Sequence, residues 1–464
     1  MPEPSRSPFD PPLDEMRSMG ADVVDFVTRF IEDRYDAQTS DYSGLEPLLR
    51  SLSAPPPEHA TALGQLLDTI EKAAGKGFDT ANPGFVGYIP GGGLYSAALA
   101  DFVACVVNRY TGVALPAPAL VQMEVSVLTW LCEIFGLPAT SQGVLTPGGS
   151  MSNFSAIVAA RTSKLGERFL DGTLYVSAEV HHSIAKSALI AGLPRDAVRI
   201  VSTDDALRMD TDALRQAISA DRVRGRTPFL VVASAGTINS GAIDPLADVA
   251  KVAEEEQLWF HVDGAYGGFF QLTERGRQAL QGIEKADSIT LDPHKGMFLP
   301  YGTGCLLARD GEALRRAHEV RAHYLPRPSE DPDLPDFSSF TPELTRDFRG
   351  LRLWLPLHLH GVDAFVRALD EKLDLARFVH DRLDGAPELE APWPPELSLV
   401  AFRPLNGTNE DAEDLLDRVN SSGRLWLSSA PIRGDTYLRM CILSHRSHPV
   451  RIREAVELIV SSVA

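Results

Sequence analysis

The stretch that decides the fold is Leu291-Asp292-Pro293-His294-Lys295, which closes an apolar run beginning at Ala286. The run Ser288–Leu291 reads as a short buried strand, and the proline and charged residues after it end the strand abruptly. A lysine just beyond a buried strand suits capture of an aldehyde. Its amine is nucleophilic only when unprotonated, which requires partial desolvation or nearby positive charge.

Upstream lies Trp259-Phe260-His261-Val262-Asp263-Gly264-Ala265-Tyr266, an apolar strand ending in an aspartate and small residues. Further upstream, Thr146-Pro147-Gly148-Gly149-Ser150-Met151-Ser152-Asn153 is a Gly/Ser turn running into a helix predicted from Asn153 to Arg161. Free N–H groups at a helix N-terminus, with serine hydroxyls, hold a phosphate. The P-loop lysine pattern is missing, which argues against a nucleoside triphosphatase. A phosphate cup, an acid for a ring nitrogen and a lysine for an aldehyde, in that order, describe a site for pyridoxal 5'-phosphate (PLP). Asp263 would keep the ring nitrogen protonated, and Ala265 is small enough to lie against a flat ring.

Around these motifs, the region from Gly143 to Ala308 alternates short apolar runs with helical patterns. Strands are expected at Leu174–Ser177, Val198–Val201, Phe229–Ser234, Trp259–Val262, Ser288–Leu291 and Gly304–Ala308, with helices such as Thr211–Ser219 and Leu246–Glu256 between them. This is the signature of an α/β fold with a largely parallel sheet, whose ligands sit beyond the strand C-termini. Before it, amphipathic spacing from Met16 to Ile31 and again from about Ala60 to Ala74 gives helices with little apolar surroundings of their own. They are expected to pack on a second subunit. Asn82 to Gly93 is a glycine-rich, apolar segment, read as a buried connection or a substrate-pocket wall, and helices follow at Leu94–Asn108 and Ala119–Phe135. Ala322 to Glu343 is polar and proline-rich, a break of the kind that is functional or mobile. Leu351–Leu383 reads as helical again. Strands near Leu397–Arg403 and Thr436–Leu443 and a helix near Val450–Val463 complete a small α+β domain. The expected division is residues 1–93 (N-terminal helical segment), 94–352 (large domain) and 353–464 (small C-terminal domain).

Composition bounds the function. The chain has 464 residues, 44% of them hydrophobic, enough for a substantial core. Its formal net charge of −19 disfavours nucleic acid and anionic membrane surfaces as partners. Cys105, Cys132, Cys305 and Cys441 are scattered without a CxxC pair, so neither a disulfide framework nor a zinc cluster is expected, and a cytoplasmic location is the simpler reading. No signal peptide or transmembrane span is expected. His181, after the strand Leu174–Ser177, could stack on a ring or meet a carboxylate; the paired His181-His182 lacks a carboxylate–histidine pattern, so no metal is expected.

Together these motifs resemble the group II PLP-dependent amino acid decarboxylases, the aromatic-amino-acid and glutamate decarboxylase superfamily. The resemblance runs from about Met16 to the C-terminus. It is carried by Gly149-Ser150-Met151-Ser152-Asn153, His181-His182-Ser183-Ile184-Ala185-Lys186, Gly236-Thr237, His261-Val262-Asp263-Gly264-Ala265-Tyr266, Asp292-Pro293-His294-Lys295, Phe348-Arg349-Gly350-Leu351-Arg352-Leu353-Trp354 and Leu438-Arg439-Met440. It implies a PLP-dependent transferase fold of type I and a homodimer with active sites at the subunit interface, wrapped by the N-terminal helices. It also implies decarboxylation of an L-amino acid substrate. Lys295 would be the Schiff-base lysine, Asp263 the partner of the ring nitrogen, His181 and Ala265 the two faces of the ring, and Ser150, Met151 and His294 the phosphate contacts. Thr237 would lie near ring or substrate. Asp292 stands where family members often have asparagine, and a carboxylate would repel a phosphate dianion.

Two departures bear on the reaction. Ile89 and Gly112 occupy positions that are bulky aromatics in aromatic-specific members. Phe337, in Pro335-Asp336-Phe337-Ser338-Ser339-Phe340, matches the loop tyrosine whose phenol protonates Cα. Phenylalanine has no proton to give. In relatives that replacement accompanies oxygen-dependent deamination to an aldehyde, with release of ammonia and peroxide; Tyr324 is the alternative donor. Transamination or side-chain cleavage, and a non-catalytic PLP-fold partner protein, are the further readings.

Overall fold

The computed structural model describes residues 9–319, 331 and 333–463. Its centre is a seven-stranded sheet of β1 (Gln142–Thr146), β2 (Gly172–Ser177), β3 (Val198–Val201), β4 (Thr227–Ser234), β5 (Trp259–Gly264), β6 (Ser288–Leu291) and β7 (Gly304–Ala308). In space they run β1-β7-β6-β5-β4-β2-β3. The pairs from β3 through β6 are parallel; β7 is antiparallel to both β6 and β1. β2, β5 and β6 are buried along their whole length, as strands covered on both faces must be. The helix Gly149–Leu165 packs across β4 to β7.

Register places the chemistry. Asp263 lies opposite Ser234 on one side and Thr290 on the other, and Gly264 lies opposite Leu291. The ends of β4, β5 and β6 therefore reach the same sheet edge, and the turns after them face one another. Helix Gly149–Leu165 begins at that edge, because β1 delivers its N-terminus there.

The C-terminal part builds a second core around an antiparallel sheet of β8 (Leu389–Glu390), β9 (Leu399–Pro404), β10 (Ser428–Ile432) and β11 (Asp435–Cys441). Helices Val362–Asp384, Asn409–Ser421 and Pro449–Val463 pack on it. The β10–β11 hairpin turns through Arg433 (φ 53°) and Gly434 (φ 94°), the two left-handed residues that a tight right-twisted hairpin requires.

The helical stretch Leu351–Leu383 is two helices, Gly350–His360 and Val362–Asp384, parted at Gly361 (φ 74°). A left-handed residue cannot continue a right-handed helix. β1, β10 and the helix Leu45–Leu52 were not expected. β1 is short and contains Gly143; β10 is Ser-Ser-Ala-Pro-Ile, without the β-branched alternation that marks a strand. Tyr324 and most of the proline-rich break lie outside the described residues.

Candidate active site

At the shared strand edge is a cavity of about 490 Å3 lined by Ser150, Met151, His181, Thr237, Asp263, Ala265, His294 and Lys295. Every candidate site residue except Phe337 is thus brought together. A larger cleft, about 740 Å3, lies between Leu128, Gln142 and Arg315, and none of these candidates lines it.

Lys295 Nζ sits 2.8 Å from Asp292 Oδ2. Burial opposes the ammonium, but the charge and hydrogen bond of Asp292, with Asp263 behind, outweigh it and hold the lysine above its ordinary value. Asp292 Oδ1 is buried without a hydrogen-bond partner. His294 Nδ1 is 2.7 Å from the Thr303 carbonyl, which makes Nδ1 the protonated nitrogen; Nε2 lies 3.8 Å from Asp292 Oδ2. Burial pulls the imidazolium form of His294 down.

Asp263 accepts from the Asn153 amide (2.9 Å) and from the Ala265 N–H (3.1 Å). His181 Nδ1 lies 2.8 Å from the Ser183 hydroxyl, and burial lowers its pKa, only partly offset by the Asp263 charge. Asn153, Ser183 and His261 form a buried layer beneath these groups that the sequence did not single out. One signal was present: Asn153 follows Gly149 by one helical turn and so shares its face.

The wall of the cavity is tied to distant parts of the chain. Gly92 donates to the His294 carbonyl, and Leu94 to that of Phe298. Arg446, from the C-terminal unit, reaches the carbonyls of Gly92 (3.1 Å) and Gly93 (3.4 Å). A Cβ on Gly92 would stand 2.1 Å from the Phe298 carbonyl oxygen, so only glycine fits. Ile89 lines the cavity; Gly112 does not, lying against Tyr110 and Leu344. Phe337 is fully buried in the turn Phe337–Ser339, with the Arg346 guanidinium 4.9 Å from its ring centroid.

A cavity of this size, a helix start beside it, a buried carboxylate held by two donors and a lysine amine fit a phosphorylated pyridine aldehyde. The orphaned Asp292 Oδ1 is the one feature that does not favour a phosphate. Fold and site therefore define a PLP-dependent enzyme of fold type I. Comparison places it more closely. Residues 46–404 match the pyridoxal-dependent decarboxylase conserved domain, and the chain belongs to that family. It is 30% identical to an aromatic-L-amino-acid decarboxylase of Bacillus atrophaeus, covering 94% of this chain and 92% of that protein. It is 28% identical to the phenylacetaldehyde synthase of Arabidopsis thaliana, over 97% and 96% of the two chains. The crystal structure of an Oryza sativa TDC with PLP and tryptamine superposes with a TM-score of 0.93 at 26% identity, covering 99% of each chain. The protein is a PLP-dependent amino acid decarboxylase.

Proposed function

We propose that Lys295 holds the cofactor of this decarboxylase and that Asp263 pairs with its ring nitrogen. The observation that carries the assignment is their convergence, from the ends of neighbouring strands, on one cavity. Bound there, PLP supplies an electron sink for the pair left when the Cα–carboxylate bond breaks. Asp263, fixed by Asn153 and the Ala265 N–H, keeps the ring nitrogen's proton in place. His181, oriented by Ser183, would cover one ring face, and Ala265, which also lines the cavity, would lie on the other. Ser150, Met151 and His294 would hold the phosphate, His294 donating from Nε2 once the phosphate's charge draws a proton onto it, while Nδ1–H stays on the Thr303 carbonyl. Thr237, Ile89 and Ile238 bound the space left for the substrate side chain. One matched relative is named for aromatic L-amino acids, and a solved neighbour holds tryptamine; Ile89 reshapes one wall of this pocket. Lys295→Ala should abolish the cofactor's visible absorbance band, and an intact band would overturn the assignment.

A second reading rests on Phe337, which cannot donate a proton, and on the similarity to a phenylacetaldehyde synthase. Here decarboxylation would consume oxygen and yield an aldehyde. Carbon dioxide, dissolved oxygen and peroxide measured together on L-amino acids decide it. Amine as sole product under air refutes the oxidative reading, and matched oxygen uptake that Phe337→Tyr suppresses supports it.

The working unit is a homodimer in this proposal. Helix Leu13–Asp33 has no buried residue, and Met16, Met19, Val23, Phe102 and Val106 are exposed, apolar side chains that a second subunit would cover. Four free cysteines fit a reducing, cytoplasmic setting. No helix among the described residues is long and apolar enough to cross a membrane.

A further inference from the structure

Beneath Asp263 runs a file of buried polar side chains. Trp259 Nε1 is 2.8 Å from Ser288 Oγ, which is 2.8 Å from His261 Nδ1. His261 Nε2 is 3.0 Å from Asn153 Oδ1, and Asn153 Nδ2 is 2.9 Å from Asp263 Oδ2. All five residues are buried. Nothing in the cofactor contacts alone calls for a file this long.

Both ends of the file have a fixed polarity. An indole N–H only donates, and an ionised carboxylate only accepts. Ser288 Oγ must therefore accept from Trp259, and its own proton goes to His261 Nδ1. That leaves the His261 proton on Nε2, aimed at the Asn153 carbonyl. The Asn153 amide nitrogen then faces Asp263 and Ser183, at 2.9 and 3.0 Å. The opposite sense fails at two places. A His261 proton on Nδ1 would give Ser288 two donors and leave its hydroxyl proton without an acceptor. The reversed Asn153 amide would set a carbonyl oxygen 2.9 Å from a carboxylate oxygen. The Thr290 hydroxyl, 3.4 Å from His261 Nε2, is the longer contact and alters neither end.

We infer that Trp259, Ser288, His261 and Asn153 form a one-way donor file that fixes the charge and orientation of Asp263, with His261 and Asn153 acting as positioning residues. The inference rests on the assignment of Asp263 to the ring nitrogen for its consequence, but not for its direction. Burial drives the His261 pKa down to about 4, in keeping with a neutral ring that relays orientation and carries no charge. Asparagine at 153 supplies what no carboxylate could, an acceptor on one side and a donor on the other.

The direction is tested on the full-length protein, with and without PLP, by long-range 1H–15N correlation of the His261 ring. The neutral Nε2–H pattern is expected in both forms. An Nδ1–H or doubly protonated pattern at neutral pH overturns the file. The consequence is tested with Asn153→Asp, which keeps the acceptor toward His261 and sets a second carboxylate against Asp263. PLP affinity should fall by about tenfold or more, the scale of one lost hydrogen bond to a charged group. The 15N shift of ring-labelled PLP should move away from the protonated value, and Asn153→Gln should recover part of both. Unchanged affinity and ring shift in a folded Asn153→Asp protein refute the positioning role. If Lys295→Ala left the cofactor band intact, the assignment of the site would fail, while the His261 pattern would still judge the file.

Discussion

Replacing Asp292 by asparagine keeps the size of the side chain and removes its charge. In the wild-type protein that charge sits 2.8 Å from Lys295 Nζ. At an effective dielectric of about 20, two unit charges at that spacing attract by roughly 6 kcal/mol, part of which the cost of burial cancels. An opposite charge this close moves a pKa by about one to three units, so its removal raises the unprotonated fraction of the lysine at neutral pH by about tenfold or more. Asp263 still raises the lysine in the variant, which favours the lower end of that range. Only the unprotonated amine can bond the aldehyde. Capture of PLP by Asp292→Asn apoprotein at pH 7 should therefore be about tenfold faster than wild type. The rate rises with pH in both proteins, and the variant's profile should lie at lower pH. Stopped-flow absorbance after mixing apoprotein with PLP measures this directly. Asp292 also repels the phosphate, but above about pH 7, where the phosphate stays a dianion, relief of that repulsion multiplies the rate by the same factor. A profile left in place on the pH axis, whatever its height, would refute the account of Lys295.

Glu124→Leu should destabilise the protein by about 3–5 kcal/mol, because Arg346, 2.6 Å away and equally buried, loses its counter-charge. At about 2 cal/mol/K per residue this is roughly 3–5 °C in Tm; Glu124→Leu with Arg346→Met should recover most of it, and a shift below about 1 °C for the single variant contradicts the prediction. Acid should unfold the protein partly through His445 and His261, whose pKa values burial pushes to about 3 and about 4. Their stabilisation is complete above the unfolded value near 6.5 and is lost as pH falls through the folded values. Asp244, raised to about 6 by burial, works oppositely between about pH 6 and 4. His445→Gln should accordingly flatten the acid slope of stability by about 1.4 kcal/mol per pH unit, read from urea unfolding between about pH 4 and 6. Gly92→Ala should abolish PLP binding or folding outright, since the Phe298 backbone leaves no room for a methyl group; a cofactor-loaded, active variant would show that the segment moves freely.

The buried strands were legible because a strand covered on both faces is built mainly of apolar and β-branched residues, as Phe229–Ala233 and Ser288–Leu291 are. Asp263 and Lys295 were legible from the strand ends: Asp263 lies at the end of one buried strand and Lys295 in the turn just after the next, and register sets the two strands side by side. β1 escaped because Gly143 and Gln142 dilute its pattern. The layer beneath the cavity escaped because its meaning lies in contacts across the chain: Asn153 reaches Asp263 over 110 positions, and nothing local to either residue announces the other. Phe337 was found by its place before the Phe-Arg block, but its burial under Arg346 depends on packing that no spacing rule encodes.

The clamp of Arg446 on Gly92 and Gly93 gives the catalytic turn a position in time as well as in space. Chains leave the ribosome from the N-terminus, and Lys295 emerges long before Arg446. The large sheet can assemble on the emerging chain, domain by domain. The wall behind His294 cannot be locked until the last helix's forerunner, Ser444 to Ser447, has been made. A nascent chain stalled short of Arg446 would display every residue named for the cofactor and still hold it loosely, so loading belongs to the finished polypeptide.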